Sequence, residues 1–155
     1  PGRERAVARV GQMKNGLLLA IDPGRVTGLA LFRNGVLVAA NTEHGDRIWS
    51  SKRLLCPDVD AVVIERPVSR GGRGAPGDDL IALAIRAGRA AGPWGDRVRW
   101  VRPEEWKGNL PKDLCWRRVS AVLTPEEQRI ADSTDDHNVR DAIGIGLYTL
   151  RRWRI

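Results

Sequence analysis

The sequence predicts a single α/β domain built on a mixed five-stranded sheet, in which the first three strands are antiparallel, the later strands are parallel, and helices lie on the flanks. Its 155 residues are 42% hydrophobic and 29% charged, a globular composition for one domain with a real core. Three short apolar runs separated by turn residues open the chain, and the later apolar runs alternate with helix-like segments. That order is typical of an antiparallel start followed by crossover connections within one sheet.

The antiparallel unit is predicted from three apolar runs over Leu17–Ile21, Thr27–Phe32 and Val36–Asn41. Asn34-Gly35, between the second and third runs, is a strong signal for a two-residue hairpin because both residues accept positive φ. The Asp22-Pro23-Gly24 turn separates the first two runs. These residues therefore predict a three-stranded meander.

The middle of the chain combines a strand with a glycine-rich basic segment. A short helix is predicted over Ile48–Leu55, and a buried strand over Asp60–Glu65 ends in a carboxylate. Arg66–Gly77 holds four glycines, two prolines and three arginines. Because such a segment has little apolar surface to bury, we expect a mobile basic loop.

The rest of the chain is predicted to be mainly helical. Thr124 and Glu127 have the spacing of a capping box, and the last helix has apolar residues at three- and four-residue steps. The predicted elements are a helix over Leu80–Ala91 capped by Asp78 or Asp79 and ended by Gly92-Pro93, a strand over Val98–Val101, helices over Pro111–Leu123 and Pro125–Ile130, and a final helix over about His137–Trp153. We expect four tryptophans in the core, namely Trp100, Trp153, Trp94 and Trp106. For Trp94 and Trp106, contact with DNA bases is the alternative.

The charge predicts a polyanionic partner. The formal net charge is +7, and only four of the 26 basic residues are lysines. Arginine binds phosphate oxygens through two parallel hydrogen bonds, which lysine cannot do. The alternative explanation is a genome whose composition raises arginine content everywhere.

The cysteines and the absence of long apolar runs in the sequence indicate the cellular compartment, and the patterning indicates the domain limits. Cys56 and Cys115 lack ligand-like spacing, so we expect two reduced thiols rather than a disulfide or metal site. No apolar run is long enough to span a membrane, and there is no signal-peptide pattern. We therefore expect a cytoplasmic protein without a membrane partner, with a flexible basic extension over residues 1–15 ahead of a domain over residues 16–155.

Three carboxylates lie where the predicted fold brings chain segments together. Asp22 and Glu65 end apolar strands, and Asp141 lies one turn into the final helix. Sites in open sheets with crossover helices form at the carboxyl ends of the strands. Grouped carboxylates repel one another unless divalent cations lie among them, and oxygen ligands favour Mg²⁺ or Mn²⁺. His137 and Asn138 precede Asp141 by four and three residues, so both share its side of the helix.

Each of these residues also has a simpler explanation. Asp22-Pro23-Gly24 is a common turn sequence, and Glu65 has arginine partners available for an ion pair. Asp141 near a helix N-terminus is favoured by the helix dipole, and His137 is a frequent neighbour of a cap. Asp135 and Asp136 are open to either capping or metal binding. What the simpler account leaves unexplained is three acids at the ends of three apolar elements.

The same segments resemble the RuvC family of Holliday-junction resolvases, which has a ribonuclease-H-like fold. The resemblance runs from about residue 17 to residue 150, in the family's order. It includes a segment similar to phage-type members, Arg102-Pro103-Glu104-Glu105-Trp106-Lys107-Gly108 followed by Pro111-Lys112. The other segments that carry it are Ala20-Ile21-Asp22-Pro23-Gly24, Thr27-Gly28, Val63-Ile64-Glu65-Arg66-Pro67 and Asp141-Ala142.

The resemblance implies a Mg²⁺-dependent endodeoxyribonuclease that resolves four-way DNA junctions by paired symmetric nicks, leaving 5′ phosphates and 3′ hydroxyls. Two Mg²⁺ ions roughly 4 Å apart, replaceable by Mn²⁺, would be bound by Asp22, Glu65, Asp141 and a fourth ligand. The family has Asp or His three residues before the last Asp, where this chain has Asn138. We favour His137 as the fourth ligand, with Asn138 as the alternative.

Further expectations concern DNA and assembly. A junction has approximate two-fold symmetry, so a homodimer is expected, with its contact formed by the helix over about residues 79–91. An ordinary sheet-packing helix is the alternative. Candidate phosphate contacts are Arg70, Arg73, Lys107, Lys112, Arg117 and Arg118.

Three other functions are compatible with parts of the sequence. A ribonuclease-H-like nuclease for RNA or hybrid duplex keeps the fold and changes the substrate, and a junction-binding module lacks catalysis. An actin-like nucleotide-binding domain also opens with Asp-x-Gly and Thr-Gly. It is disfavoured, because the chain is too short for two lobes and has no second phosphate motif.

Overall fold

A computed structural model describes residues 16–44, 59–68 and 77–155 and contains the predicted five-stranded mixed sheet flanked by helices. The strand order is β3-β2-β1-β4-β5. The strands are β1 (Leu17–Asp22), β2 (Val26–Arg33), β3 (Val36–His44), β4 (Ala61–Glu65) and β5 (Val98–Val101). The helices are α1 (Gly77–Ala91), α2 (Pro103–Trp106), α3 (Lys112–Ser120), α4 (Pro125–Asp132) and α5 (His137–Thr149), with a 3₁₀ segment over Gly92–Arg97.

The first three strands form the predicted antiparallel meander. β1 pairs with β2 and β2 with β3, both antiparallel. The β2–β3 turn is tight, with φ of 51° at Asn34 and 81° at Gly35. Both angles lie in the left-handed region that this dipeptide accepts at low cost, which explains why the hairpin was readable from the sequence.

The later strands are parallel and place two carboxylates side by side. β4 lies parallel to β1, with Ile21 opposite Ile64, and β5 lies parallel to β4. On these two neighbouring strands, the residues that follow Ile21 and Ile64 are Asp22 and Glu65. Both side chains therefore emerge at the same carboxyl edge of the sheet, as crossover topology requires.

The sheet separates two apolar cores. The larger core holds Leu18, Phe32, Val63 and Val101 of the sheet with residues of α3 to α5, together with Trp106 of α2. The smaller core lies on the opposite face, where Ile21 and Ile64 pack with residues of α1 and the 3₁₀ segment. Helix α5 crosses β1 and β2 on the first face, and this crossing brings its N-terminus to the site.

Two glycines let α5 lie this close to β2. A Cβ at Gly28 would lie 1.9 Å from the carbonyl oxygen of Asn138, and one at Gly146 would lie 2.1 Å from the Phe32 ring. Gly28 is also the register partner of Asp22. The close approach therefore sets the first turn of α5 beside the end of β1.

Several boundaries differ from the sequence predictions. α1 begins at Gly77, so Asp78 and Asp79 lie within its first turn and not before it, as capping residues would. α3 is shorter than predicted and ends at Ser120, and α4 is longer and ends at Asp132. The short helix α2 and the 3₁₀ segment were not predicted.

α5 ends at Thr149, four residues before the predicted end. Arg151 adopts a φ of 59°, and the backbone N–H groups of Arg152 and Trp153 both donate to the carbonyl of Leu147. This turn replaces another helical turn and directs Trp153 into the larger core. Trp94 and Trp106 are also buried.

The prediction that Trp100 lies in the core is wrong, because its 42% exposure places it at the surface. β5 is an edge strand of the described sheet, so a residue on its face has a neighbouring strand on one side only.

Some predictions fall outside the described residues. They are the extension over 1–15, the helix over Ile48–Leu55, most of the Arg66–Gly77 loop with Arg70 and Arg73, and Cys56. Among the helices of the described ranges, none is long and apolar enough to cross a membrane.

Candidate active site

Three carboxylates from three elements meet at the carboxyl edge of the sheet. Asp22 is buried, while Glu65 and Asp141 are largely buried, with side-chain exposures of 17% and 18%. Burial raises the pKa of Asp22 well above its ordinary value, and the neighbouring charges of Glu65 and Asp141 raise it further. The three acids named from the sequence therefore share one electrostatic environment.

Lys107 lies inside this acidic cluster. Its Nζ is 3.1 Å from Oδ2 of Asp141 and 3.3 Å from Oε2 of Glu65, and its side chain is 14% exposed. Burial lowers the pKa of Lys107, but the charges of Glu65 and Asp141 outweigh it and raise that pKa above its ordinary value. The residue predicted to grip DNA phosphates is thus a charged ammonium held by two site carboxylates.

Trp106 supplies a second contact to Glu65. Its indole Nε1–H donates to Oε2 of Glu65 at 2.7 Å. The Lys107 ammonium lies 4.6 Å from the centroid of the same ring. No pattern of residue types in the sequence indicated these contacts, because they depend on α2 turning Trp106 toward the end of β4.

The donor set fits a divalent cation of the magnesium type. The charges of Glu65 and Asp141 disfavour ionisation of Asp22 although the Lys107 ammonium lies close by, so a cation bound here would be stabilised by all three carboxyl groups. Hard oxygen ligands of this kind suit Mg²⁺ or Mn²⁺. In the described ranges, no three His, Cys, Asp or Glu side chains are already grouped as a metal-binding set.

His137 lies near Asp141, at the start of α5. It is exposed, and it lines a pocket of about 270 Å³ together with Asp141, Lys112 and Trp116. Cys115, a free thiol, lines the same pocket, and burial raises its pKa to about 11, so it is neutral at pH 7. The pocket thus joins the acidic cluster to the surface of α3.

Asn138, the alternative fourth ligand, takes part in the helix cap. Its backbone N–H and its side-chain Nδ2 both donate to Oδ1 of Asp136, at 2.7 and 2.9 Å. Asp136 is therefore the cap of α5, and Asp135 pairs with Arg140 at 2.6 Å. Of the two uses left open, helix capping matches Asp136, whereas Asp135 forms an ion pair instead.

The other basic candidates follow one helix. Lys112 is exposed at the start of α3 and close enough to Asp22 for its charge to oppose the rise of that pKa. Arg117 and Arg118 are exposed in the last turn of α3. These three residues form a basic stretch that begins beside the acidic cluster.

Comparison with known proteins identifies the fold. A structure of Thermus thermophilus RuvC matches with 17% identity and a TM-score of 0.59, and a structure of T. thermophilus RuvC in complex with Holliday junction substrate matches with 16% identity and a TM-score of 0.58. Each match covers 88% of this chain and 93% of the other. No protein-family model and no curated protein sequence matches the chain. The chain therefore has the ribonuclease-H-like fold of RuvC, which confirms the predicted fold class.

Proposed function

We propose that this protein is a metal-dependent endodeoxyribonuclease that resolves four-way DNA junctions by paired symmetric nicks. The observation that carries the proposal is the meeting of Asp22, Glu65 and Asp141 at the carboxyl edge of the sheet. The fold supports the substrate, because one of the similar structures is a RuvC bound to Holliday junction DNA.

Four side chains would hold two Mg²⁺ ions, for which Mn²⁺ would substitute. They are Asp22, Glu65, Asp141 and His137. When bound, such ions supply a water of lowered pKa and neutralise charge on the departing 3′ oxygen. His137 is exposed and lines a pocket with Asp141, which supports a role in orienting the attacking water. The products would carry 5′ phosphates and 3′ hydroxyls.

The basic residues would hold the DNA backbone around this cluster. Lys112, Arg117 and Arg118 are exposed along α3 and suit phosphates on one side of the cut. Lys107 is too deep for a surface phosphate, and its place between two site carboxylates suits the phosphate being cut. Arg70 and Arg73 are proposed for the same task from the sequence.

A homodimer would supply the two matched cuts that a junction requires. α1 supports this arrangement, because it exposes Ile81 by 59% and Ile85 by 51%, one turn apart on its outer face. Isoleucines at this spacing form an apolar stripe of the kind that a symmetric partner covers.

Cleavage of matched synthetic substrates tests this function. Wild-type protein and Mg²⁺ are mixed with a four-way DNA junction, with linear duplex DNA of the same arms, and with an RNA–DNA hybrid duplex. We expect paired nicks in the junction at a rate at least tenfold above that of either duplex. Faster cutting of the hybrid would replace the resolvase proposal by a ribonuclease-H-like one. High-affinity binding to the four-way junction without any metal-dependent cutting would indicate a junction-binding module without catalysis.

A further inference from the structure

We propose that Trp106 is a positioning residue whose indole N–H fixes the carboxylate of Glu65 for metal binding. The proposal rests on the proposed function in one respect, namely that Glu65 is a metal ligand. It goes beyond that function because it assigns a role to a side chain that touches neither metal nor DNA.

The indole has one polar group, and that group meets Glu65. Trp106 is fully buried. A buried indole N–H requires an acceptor, and here the acceptor is Oε2 of Glu65 at 2.7 Å. Glu65 sits at the end of β4 with a flexible side chain, whereas the ring is enclosed. The rigid partner therefore dictates where the flexible one lies.

Packing holds the ring in place from two sides. Trp153 meets it edge to face, with centroids 5.9 Å apart and an interplanar angle of 66°. Gly144 of α5 leaves room for it on another side, because a Cβ there would lie 2.4 Å from the ring. The indole is therefore wedged between α5 and the C-terminal segment, with little freedom to rotate.

The bond selects one carboxylate oxygen. In the described part of the chain, Trp106 and Lys107 both contact Oε2 of Glu65. This arrangement leaves Oε1 for a further ligand. Groups that hydrogen-bond to metal ligands orient them, and their loss typically costs about 10- to 100-fold in metal affinity. The same indole also lies under the Lys107 ammonium, at 4.6 Å, so it orders both charged partners.

The affinity experiment compares Trp106→Phe with Trp94→Phe, which makes the same change in a buried indole on the opposite face of the sheet. Mg²⁺ binding is measured by calorimetry. We expect Trp106→Phe to weaken binding about tenfold and Trp94→Phe to leave it within about twofold. In a Glu65→Gln background, Trp106→Phe should add no further loss, because the residue acts through Glu65. Wild-type affinity in Trp106→Phe, or an equal loss in both backgrounds, would overturn the proposal.

A measurement on the wild-type protein covers the case in which Trp106→Phe fails to fold. The indole N–H resonance of Trp106 in a ¹⁵N-labelled sample is followed while Mg²⁺ is added. We expect it to move along the binding curve and to differ between wild type and Glu65→Gln. If backbone resonances near Asp22 move while this resonance stays still, the positioning role is wrong although the metal site stands. If wild type neither binds Mg²⁺ nor cuts a junction, the proposed function fails together with this inference.

Discussion

Single residues show two ways in which this molecule buries a carboxylate. Glu127 is fully buried, but its oxygens accept hydrogen bonds from the backbone N–H groups of Leu37 and Thr124 and from the guanidinium of Arg152. Asp22 is buried beside two other acids. The first acid is compensated within the chain, whereas burial and the neighbouring acids disfavour the charged form of the second, which a bound cation would stabilise.

Glu127→Gln is expected to destabilise the fold by about 3 kcal/mol, because it breaks a buried ion pair and leaves Arg152 without its partner. Glu126→Gln is the matched control, since Glu126 is an exposed neighbour whose pair with Arg129 is also exposed. The control should change the free energy of unfolding by less than about 0.5 kcal/mol. Urea denaturation measures both variants, and equal effects would contradict the role given to Glu127.

The same residue predicts how stability depends on pH. Burial raises the pKa of Glu127, but the hydrogen bonds from Arg152, Thr124 and Leu37 outweigh it and lower the pKa from 4.5 to about 2. A depressed pKa stabilises the folded protein above pH 4.5, and this contribution is lost as the pH falls toward 2. As the pH falls through this range, the melting temperature should therefore decrease less in Glu127→Gln than in wild type. Parallel curves would contradict the assignment.

Elements were predictable where local chemistry decides them. The capping box of Thr124 and Glu127 and the Asn34-Gly35 hairpin depend on residues close in sequence, and both are present. The end of α5 was not predictable, because it depends on Trp153 and Arg152 making contacts with distant segments. The same holds for the site. Strand ends indicated Asp22 and Glu65, but nothing local indicated that α2 would carry Trp106 and Lys107 to them.

The approach of α5 to its neighbours depends on glycines, which yields a prediction at this scale. Gly144→Ala places a Cβ 2.4 Å from the Trp106 ring and should destabilise the fold by about 1–3 kcal/mol. Gly88→Ala, in the interior of α1, meets nothing within 4 Å and should stabilise it by about 0.5–1 kcal/mol through helix propensity. Chemical denaturation at one protein concentration compares them. A Gly144→Ala variant as stable as wild type would show that α5 does not need the gap.

The whole molecule combines opposite charges at different places. A net charge of +7 attracts a polyanion, while the acids gathered at the sheet edge form a negative centre within a basic protein. This contrast fits the proposed nuclease function, in which basic residues would hold the backbone and carboxylates would bind cations at the cut. Composition alone predicted the excess of basic residues, whereas the grouping of the acids depends on the sheet topology.

Assembly supplies the prediction at this scale. Ile81→Glu puts a charge in the apolar stripe of α1 and should convert a dimer into a monomer, because one charge would be buried on each side of a symmetric contact. Ile155→Glu, at an equally exposed C-terminal position, should leave the dimer intact. Sedimentation at several concentrations distinguishes these states. A wild-type chain that is monomeric at every concentration would rule out the proposed contact.

The most direct test of the central claim is Asp22→Asn measured for binding and cutting on the same four-way junction. The change removes one charge while keeping the shape of the side chain, and Asp132→Asn on the exposed face of α4 is its control. We expect Asp22→Asn to bind the junction as wild type does while its Mg²⁺-dependent cutting falls at least 1,000-fold, a loss of about 4 kcal/mol in transition-state stabilisation. The control should cut normally. Undiminished cutting by Asp22→Asn would contradict the account.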